Sequence, residues 1–410
     1  GSIPGVDGPV WTSLEWDPDG AGPATPVLVV GGNFRAAGLV PVTNIAAWDP
    51  ATATWSALGA GLANGDVRSL AILPNGELVA GGAFSASGNS SIGRVARWNG
   101  TTWQSLGGGT PAANHWVADM VTMPNGDLVV GGFFEDFGGS SADYVARWNG
   151  TAWSAIGNNL FDQVDSLAVL QNGELVAAGF FVNGLSPAGN IARWTGSNWV
   201  SLGLGLNSYV EDIAVDAAGN LVAVGGFTAA GGSPANHVAS WNGATWSPMG
   251  AGLDGSPRCV AVRSNGQMLV GGTIPSSGGA ARHNLVVWTG SNWIDFGTAV
   301  ASPVVLAITE VNDDQIHHAA SRHLGNLHAF LRKELELAQS EHKVNPRVSA
   351  DLIAWLLIYV GMGYGVLHAL NIPGHGTDAA GHHVQDLINK LLISRTLPAQ
   401  GPMSRGQAED

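Results

Sequence analysis

A pair of tryptophans returns six times along this chain at nearly constant spacing, and few folds accept such a period. The first members are Trp48, Trp98, Trp148, Trp194, Trp241 and Trp288, separated by 50, 50, 46, 47 and 47 residues. The second members are Trp55, Trp103, Trp153, Trp199, Trp246 and Trp293. Fifteen or sixteen residues before each first tryptophan stands a glycine pair or its variant: Gly31-Gly32, Gly81-Gly82, Gly131-Gly132, Ala178-Gly179, Gly225-Gly226 and Gly271-Gly272. Self-similarity at this length marks one supersecondary unit that cannot bury its own apolar faces and must stack on copies of itself.

Each unit reads as four short strands. In the second copy these are VRSLAIL, LVAGGAF, RVARW and TWQSLG. Asn75-Gly76, Asn125-Gly126, Asn172-Gly173 and Asn265-Gly266 separate strands one and two. Asn99-Gly100, Asn149-Gly150 and Asn242-Gly243, with Thr195-Gly196 and Thr289-Gly290 as variants, separate strands three and four. Asn-Gly between apolar runs predicts a tight hairpin, with a type I′ turn needing positive φ at both central residues. The second strand is apolar on both faces (LVVGG, LVAVGG), as a strand covered by neighbours on both sides must be. Glycine at its end allows close backbone approach near a central axis. Four-stranded antiparallel units repeated radially predict an all-β propeller of about six blades over residues 8–300, preceded by a lead-in at 1–7.

The paired glycines followed by tryptophan resemble kelch-type propellers, and the WNGTxW and PNGxLxxGGxF runs resemble repeats of exported bacterial proteins. These likenesses imply the propeller fold and leave the compartment open. The opening Gly-Ser resembles a scar left by tag removal, and no signal peptide stands at the start.

Composition divides the chain in two. All three lysines, nine of the twelve histidines and a single tryptophan, Trp355, lie after residue 300. Beyond a junction at 301–312, in which Pro303–Thr309 reads as the first strand of a seventh copy with no second strand after it, the apolar period becomes helical. Ile316, Ala320, Leu324, Leu327, Leu331 and Leu335 mark the first helix. Leu352–Leu370 follows without a charge, read as a helix buried in a bundle rather than a membrane span. A last helix presents Val384, Leu387, Ile388, Leu391 and Leu392. Residues 398–410 read as a flexible tail. The runs HLGNLHAFLRKELELAQSEHKVNP, VSADLIAWLLIYVGMGYGVLHAL and HHVQDLINKLL resemble the last helices of the ligand-binding domain of TetR-family repressors. This resemblance assigns 313–397 to a small all-α segment and implies a homodimer through 349–394. Leu352, Trp355, Leu356, Tyr364, Leu367, Leu387 and Leu391 would form its interface. No DNA-reading motif accompanies it, so the join resembles an artificial or unusual fusion.

A net charge of −14 disfavours a nucleic-acid partner. The single cysteine, Cys259, excludes an intramolecular disulfide and reads as a buried small hydrophobe. No metal site is expected, because the histidines His317, His318, His323 and His328 miss the i,i+4 spacing of a helical zinc site. No nucleophile-elbow, Walker or zinc-protease motif occurs, and no cofactor or catalytic residue is assigned. Asp212, Asp216, Glu135, Asp136 and Asp143 read as solvated acids.

Three functions are compatible with these observations. The first is a non-catalytic binding or scaffold propeller with a glycan or protein ligand. The second is a lectin-like propeller using the repeated pairs Arg97-Trp98, Arg147-Trp148 and Arg193-Trp194, although neighbours on one strand face opposite sides. The third is an enzyme with loop carboxylates at the channel.

The helical reading sets a test in solution. Sedimentation at micromolar concentration should give twice the chain mass of 42.0 kDa. Joint replacement of Leu387 and Leu391 by Glu should halve that value, because charge would be buried without a partner.

Overall fold

A computed structural model describes residues 5–296, except 21, 23, 111, 158–159, 161, 182–188 and 264. The helical segment at 313–397, its proposed interface residues and the lone strand at 303–309 lie outside the described residues.

Six antiparallel four-stranded sheets form a β-propeller. In blade 1 the strands run in chain order from the innermost: Val10–Trp16, Val27–Gly32, Ile45–Asp49 and Thr54–Ala57. The innermost strands of blades 2 to 6 are Val67–Ile72, Trp116–Thr122, Val164–Val169, Val210–Val215 and Ser256–Val262. The second strands are apolar because both faces are covered. Leu78–Gly82 is buried at all five positions, as is Leu221–Gly225.

Three repeated contacts join the blades. The second tryptophan of a blade lies opposite the first across a hairpin, with ring centroids 5.3 Å apart for Trp98 and Trp103. Its indole Nε1–H then donates to a backbone carbonyl of the preceding blade. Trp103 donates to Leu58 at 3.0 Å, Trp153 to Leu106 at 2.8 Å, and Trp199 to Ile156 at 2.7 Å. Trp246 donates to Leu202 at 2.9 Å and Trp293 to Met249 at 3.0 Å. Apolar residues of facing sheets fill the space between, as Val129, Val145, Leu167, Leu175 and Trp199 do between blades 3 and 4.

The third contact points the opposite way. Asn44, Arg94, Tyr144, Asn190, His237 and Asn284 precede the third strand, all with φ between 62° and 67°. From this left-handed position the side chains of Asn44, Arg94, Asn190 and His237 reach the linker into the following blade. Asn44 Nδ2 donates to Leu62 and Gly65 carbonyls at 2.7 Å each, and an Arg94 guanidinium nitrogen to Ala112 at 2.9 Å. His237 Nδ1 bonds the Leu253 carbonyl at 2.8 Å.

The hairpins stand where expected, but their turns differ from type I′. Gly76 has φ 83° and donates to the Leu73 carbonyl at 2.8 Å, whereas Asn75 keeps negative φ. This is a type I turn over Pro74-Asn75 closed by a left-handed glycine. Pro74 favours that outcome, because its fixed φ suits the first central position.

The glycine pairs also need one correction of register. Val10, Val67, Val117, Val164, Val210 and Pro257 pair with Gly32, Gly82, Gly132, Gly179, Gly225 and Gly272. The glycine present in all six copies is therefore Gly225 in blade 5, paired with Val224 before it rather than Gly226 after it. A Cβ on Gly82 would strike the Asp66 carbonyl, the acceptor of the Ala83 N–H at 3.0 Å. Gly82→Ala should therefore lower folding stability by at least ~2 kcal/mol. Gly76→Ala faces open space and should cost about 1 kcal/mol, from its left-handed φ alone. Chemical denaturation of the two variants measures the contrast.

Candidate functional site

The same glycine leads to the channel. In every blade the register slips by one residue after the pair just described, so one residue of the inner strand has no ladder partner. Such bulges turn a side chain out of the sheet. The bulged residues are Trp11, Arg68, Ala118, Asp165, Glu211 and Arg258, and those after them are Thr12, Ser69, Asp119, Ser166, Asp212 and Cys259. All twelve, with Asp66, line one cavity of about 400 Å³ on the propeller axis.

The lower ring is a hydrogen-bonded belt. An innermost strand has one ladder edge facing the channel, and its N–H groups need acceptors. Asp119 accepts from the Met120 N–H at 2.7 Å and, in the next blade, from the Leu167 N–H at 2.8 Å. Ser69 of the preceding blade donates its hydroxyl to Asp119 at 3.0 Å. Asp212 repeats this two blades further round. It accepts from the Ile213 and Val260 N–H groups at 2.8 Å each and from Ser166 Oγ at 2.8 Å. Two carboxylates thereby tie the inner strands of blades 2 to 6.

The bulged ring carries charges of both signs. Arg68 Nε lies 3.0 Å from Asp66, and its guanidinium sits 5.1 Å over the Trp116 ring. Arg258 stands 3.9 Å from Glu211. Gln163 Nε2 contacts Asp165. Burial pushes Asp165 up to about 7, against the bond from Gln163 and reinforced by the charge of Glu211. Burial likewise raises Glu211, with Arg258 opposing. In the belt, burial raises Asp119 and takes Asp212 up to about 7 despite their backbone donors. Asp212 is thus part of the channel wall rather than a solvated acid. Asp216 instead caps a turn, accepting from Ala218 and Asn220 N–H groups. Glu135, Asp136 and Asp143 line a surface hollow beside Tyr144.

The basic-aromatic pairs foreseen from sequence lie on the opposite face, near the hairpin tips. Trp98 is buried, and Trp148 and Trp194 are half-buried. Each arginine pairs with an acid of its own blade. Arg97 stands 3.5 Å from Glu77, Arg147 3.6 Å from Asp127 and Arg193 2.6 Å from Glu174. Neighbours in sequence do not share a pocket, but consecutive blades do. Arg147 and Asp127 of blade 3 line a groove of about 470 Å³ together with Trp194 of blade 4. Cys259 is buried and free of disulfide. Among the described residues no cluster of three or more His, Cys, Asp or Glu could hold a metal ion.

A sequence profile of the Rax2 C-terminal β-propeller domain matches residues 21–113, most of the first two blades. That match is to a propeller family other than kelch. No curated protein matches the chain in sequence. Among solved structures, one similar chain is the extracellular domain of a protein named as a hybrid two component system, from B. thetaiotaomicron. Identity is 13% and the TM-score 0.43, over 68% of this chain and 33% of that one. The chain thus spans about a third of that structure's length. Another is virginiamycin B lyase from Staphylococcus aureus, at 10% identity and TM-score 0.37, over 57% of this chain and 70% of that one. Likenesses at this level carry no argument about ligand or chemistry.

The raised carboxylates predict how stability depends on pH. Asp165 and Asp212 hold a proton more tightly folded than unfolded, so protonation favours the native state. Their contribution is complete below about pH 4 and is lost as pH rises through about 7. Each can contribute a slope of at most about 1.4 kcal/mol per pH unit in that window. Urea midpoints from pH 5 to 8 should fall, and Asp165→Asn should flatten the curve.

Proposed function

We propose that this chain is a binding propeller that takes a small polar ligand at its channel mouth. The observation that supports this reading is where the six blades differ. Framework positions repeat: the second tryptophan and the glycine opposite the bulge stand in every copy. The bulged position holds Trp, Arg, Ala, Asp, Glu and Arg in turn. The residue before it, which faces the glycine, is valine five times and proline once, whereas the side chains turned into the channel differ from blade to blade. Convergent polar groups in a concave mouth are the usual setting of a small-molecule site. Binding is preferred to catalysis because, among the described residues, no histidine lines the mouth and both arginines stand beside acids. Dimerisation through residues 349–394 belongs to the same proposal and rests on the apolar run alone.

A second reading, sugar binding, is favoured by the groove in which Arg147, Asp127 and Trp194 meet. An indole face suits the apolar face of a pyranose, while the arginine and carboxylate offer a donor and an acceptor to its hydroxyls.

A thermal-shift screen of amino acids, amines, carboxylates and sugars separates the two. A ligand at a hundred times its Kd should stabilise the fold by about 2.7 kcal/mol. Under the channel reading, Arg258→Gln should remove that shift and Trp194→Ala should leave it. Under the groove reading the outcomes exchange.

A further inference from the structure

Resting on the channel reading, the order of residues round the mouth narrows the ligand class. Round the shared cavity, the inner strands of blades 6, 1 and 2 lie on one side and those of blades 3, 4 and 5 on the other. The bulged residues of the first group are Arg258, Trp11 and Arg68, and those of the second are Ala118, Asp165 and Glu211. One half of the wall is therefore cationic and aromatic. The other is anionic, with a gap at the small side chain of Ala118.

The cationic half has spare donors. Trp11 lines this half between two arginine-bearing blades, with its indole nitrogen closed off from the cavity. Arg258 reaches its carboxylate only at 3.9 Å, an ion pair too long for a hydrogen bond. The anionic half lacks a strong cation. Arg258 offsets Glu211 only in part, and Arg68, two blades away and engaged by Asp66, offsets Asp165 weakly.

We infer that the mouth takes a zwitterion carrying a primary ammonium and a carboxylate, an amino acid or short peptide. Its carboxylate lies against Arg258, beside the Trp11 ring, and its ammonium against Asp165 and Glu211. Neither half suits a singly charged ligand equally well, because the opposite wall would then face it with nothing to pair.

Calorimetry on the full chain, with amino acids and dipeptides at millimolar concentration, tests this. The best binder is compared with its N-acetyl and C-amide forms. Each blocked form should bind at least about tenfold more weakly. Arg258→Gln should abolish the penalty for the amide only, and Glu211→Gln should reduce that for the acetyl form. A second readout is proton release. At pH 6 the Asp165 carboxyl, facing Asp162, Glu211, Arg68 and Gln163, should lose its proton as the ammonium arrives. That release appears as a dependence of the heat on buffer ionisation enthalpy, absent in Asp165→Asn. Equal binding of the blocked forms, with sensitivity to Arg258→Gln kept, overturns the zwitterion and leaves the channel site standing. Binding insensitive to every channel variant, or none across the panel, overturns both.

Discussion

Everything in this molecule depends on how closely six twisted sheets can approach one axis. The sheets of blades 2 to 5 pack against a neighbour on each face, and their second strands are buried throughout. The inner strands are crowded most. The chain answers with one glycine per blade, set where a Cβ would strike a carbonyl of the inner strand. The register slip beside that glycine follows from the same crowding, and it frees one residue per blade from the ladder. Close packing at the axis and a set of inward-turned side chains are thus one geometrical event.

Away from the axis the blades are held by bonds with direction. The indole N–H of one blade reaches back to the blade before it, while the left-handed residue ahead of the third strand reaches forward to the next linker. Neither contact needs the whole ring to form. Each is local to a pair of blades, which is why repeat proteins gain stability in nearest-neighbour increments.

Much of this was written plainly in the sequence, and what was hidden has a physical reason. The tryptophan period and the Asn-Gly hairpins disclose six four-stranded units, because packing and turn chemistry leave local marks. The turn type escaped because the Asn-Gly signal leaves open which two residues are central. The chain places the turn one residue earlier, with glycine closing it in the left-handed region, whether proline or glutamine leads. The glycine register in blade 5 escaped because Gly225-Gly226 offers two choices, and only the ladder shows which one opposes Val210. The channel left fainter marks still. Asp119 and Asp212 each interrupt an apolar strand, a signal readable as a solvated edge. Their role appears only once Ser69, Leu167 and Val260 are brought in from neighbouring blades. The arginine and tryptophan pairs were misleading for the same reason. Adjacent residues on a strand point apart, and the partner of Arg147 came from the next repeat.

The separation between bulged residue and framework has an evolutionary consequence. Because the framework does not depend on what the bulge carries, the mouth behaves like a six-letter word written on a fixed frame. Duplicating a blade copies a letter, and a point substitution changes one letter without rewriting the scaffold. A gene of this kind can therefore drift through many ligand preferences while its product keeps folding, with selection acting on six codons almost independently of the rest.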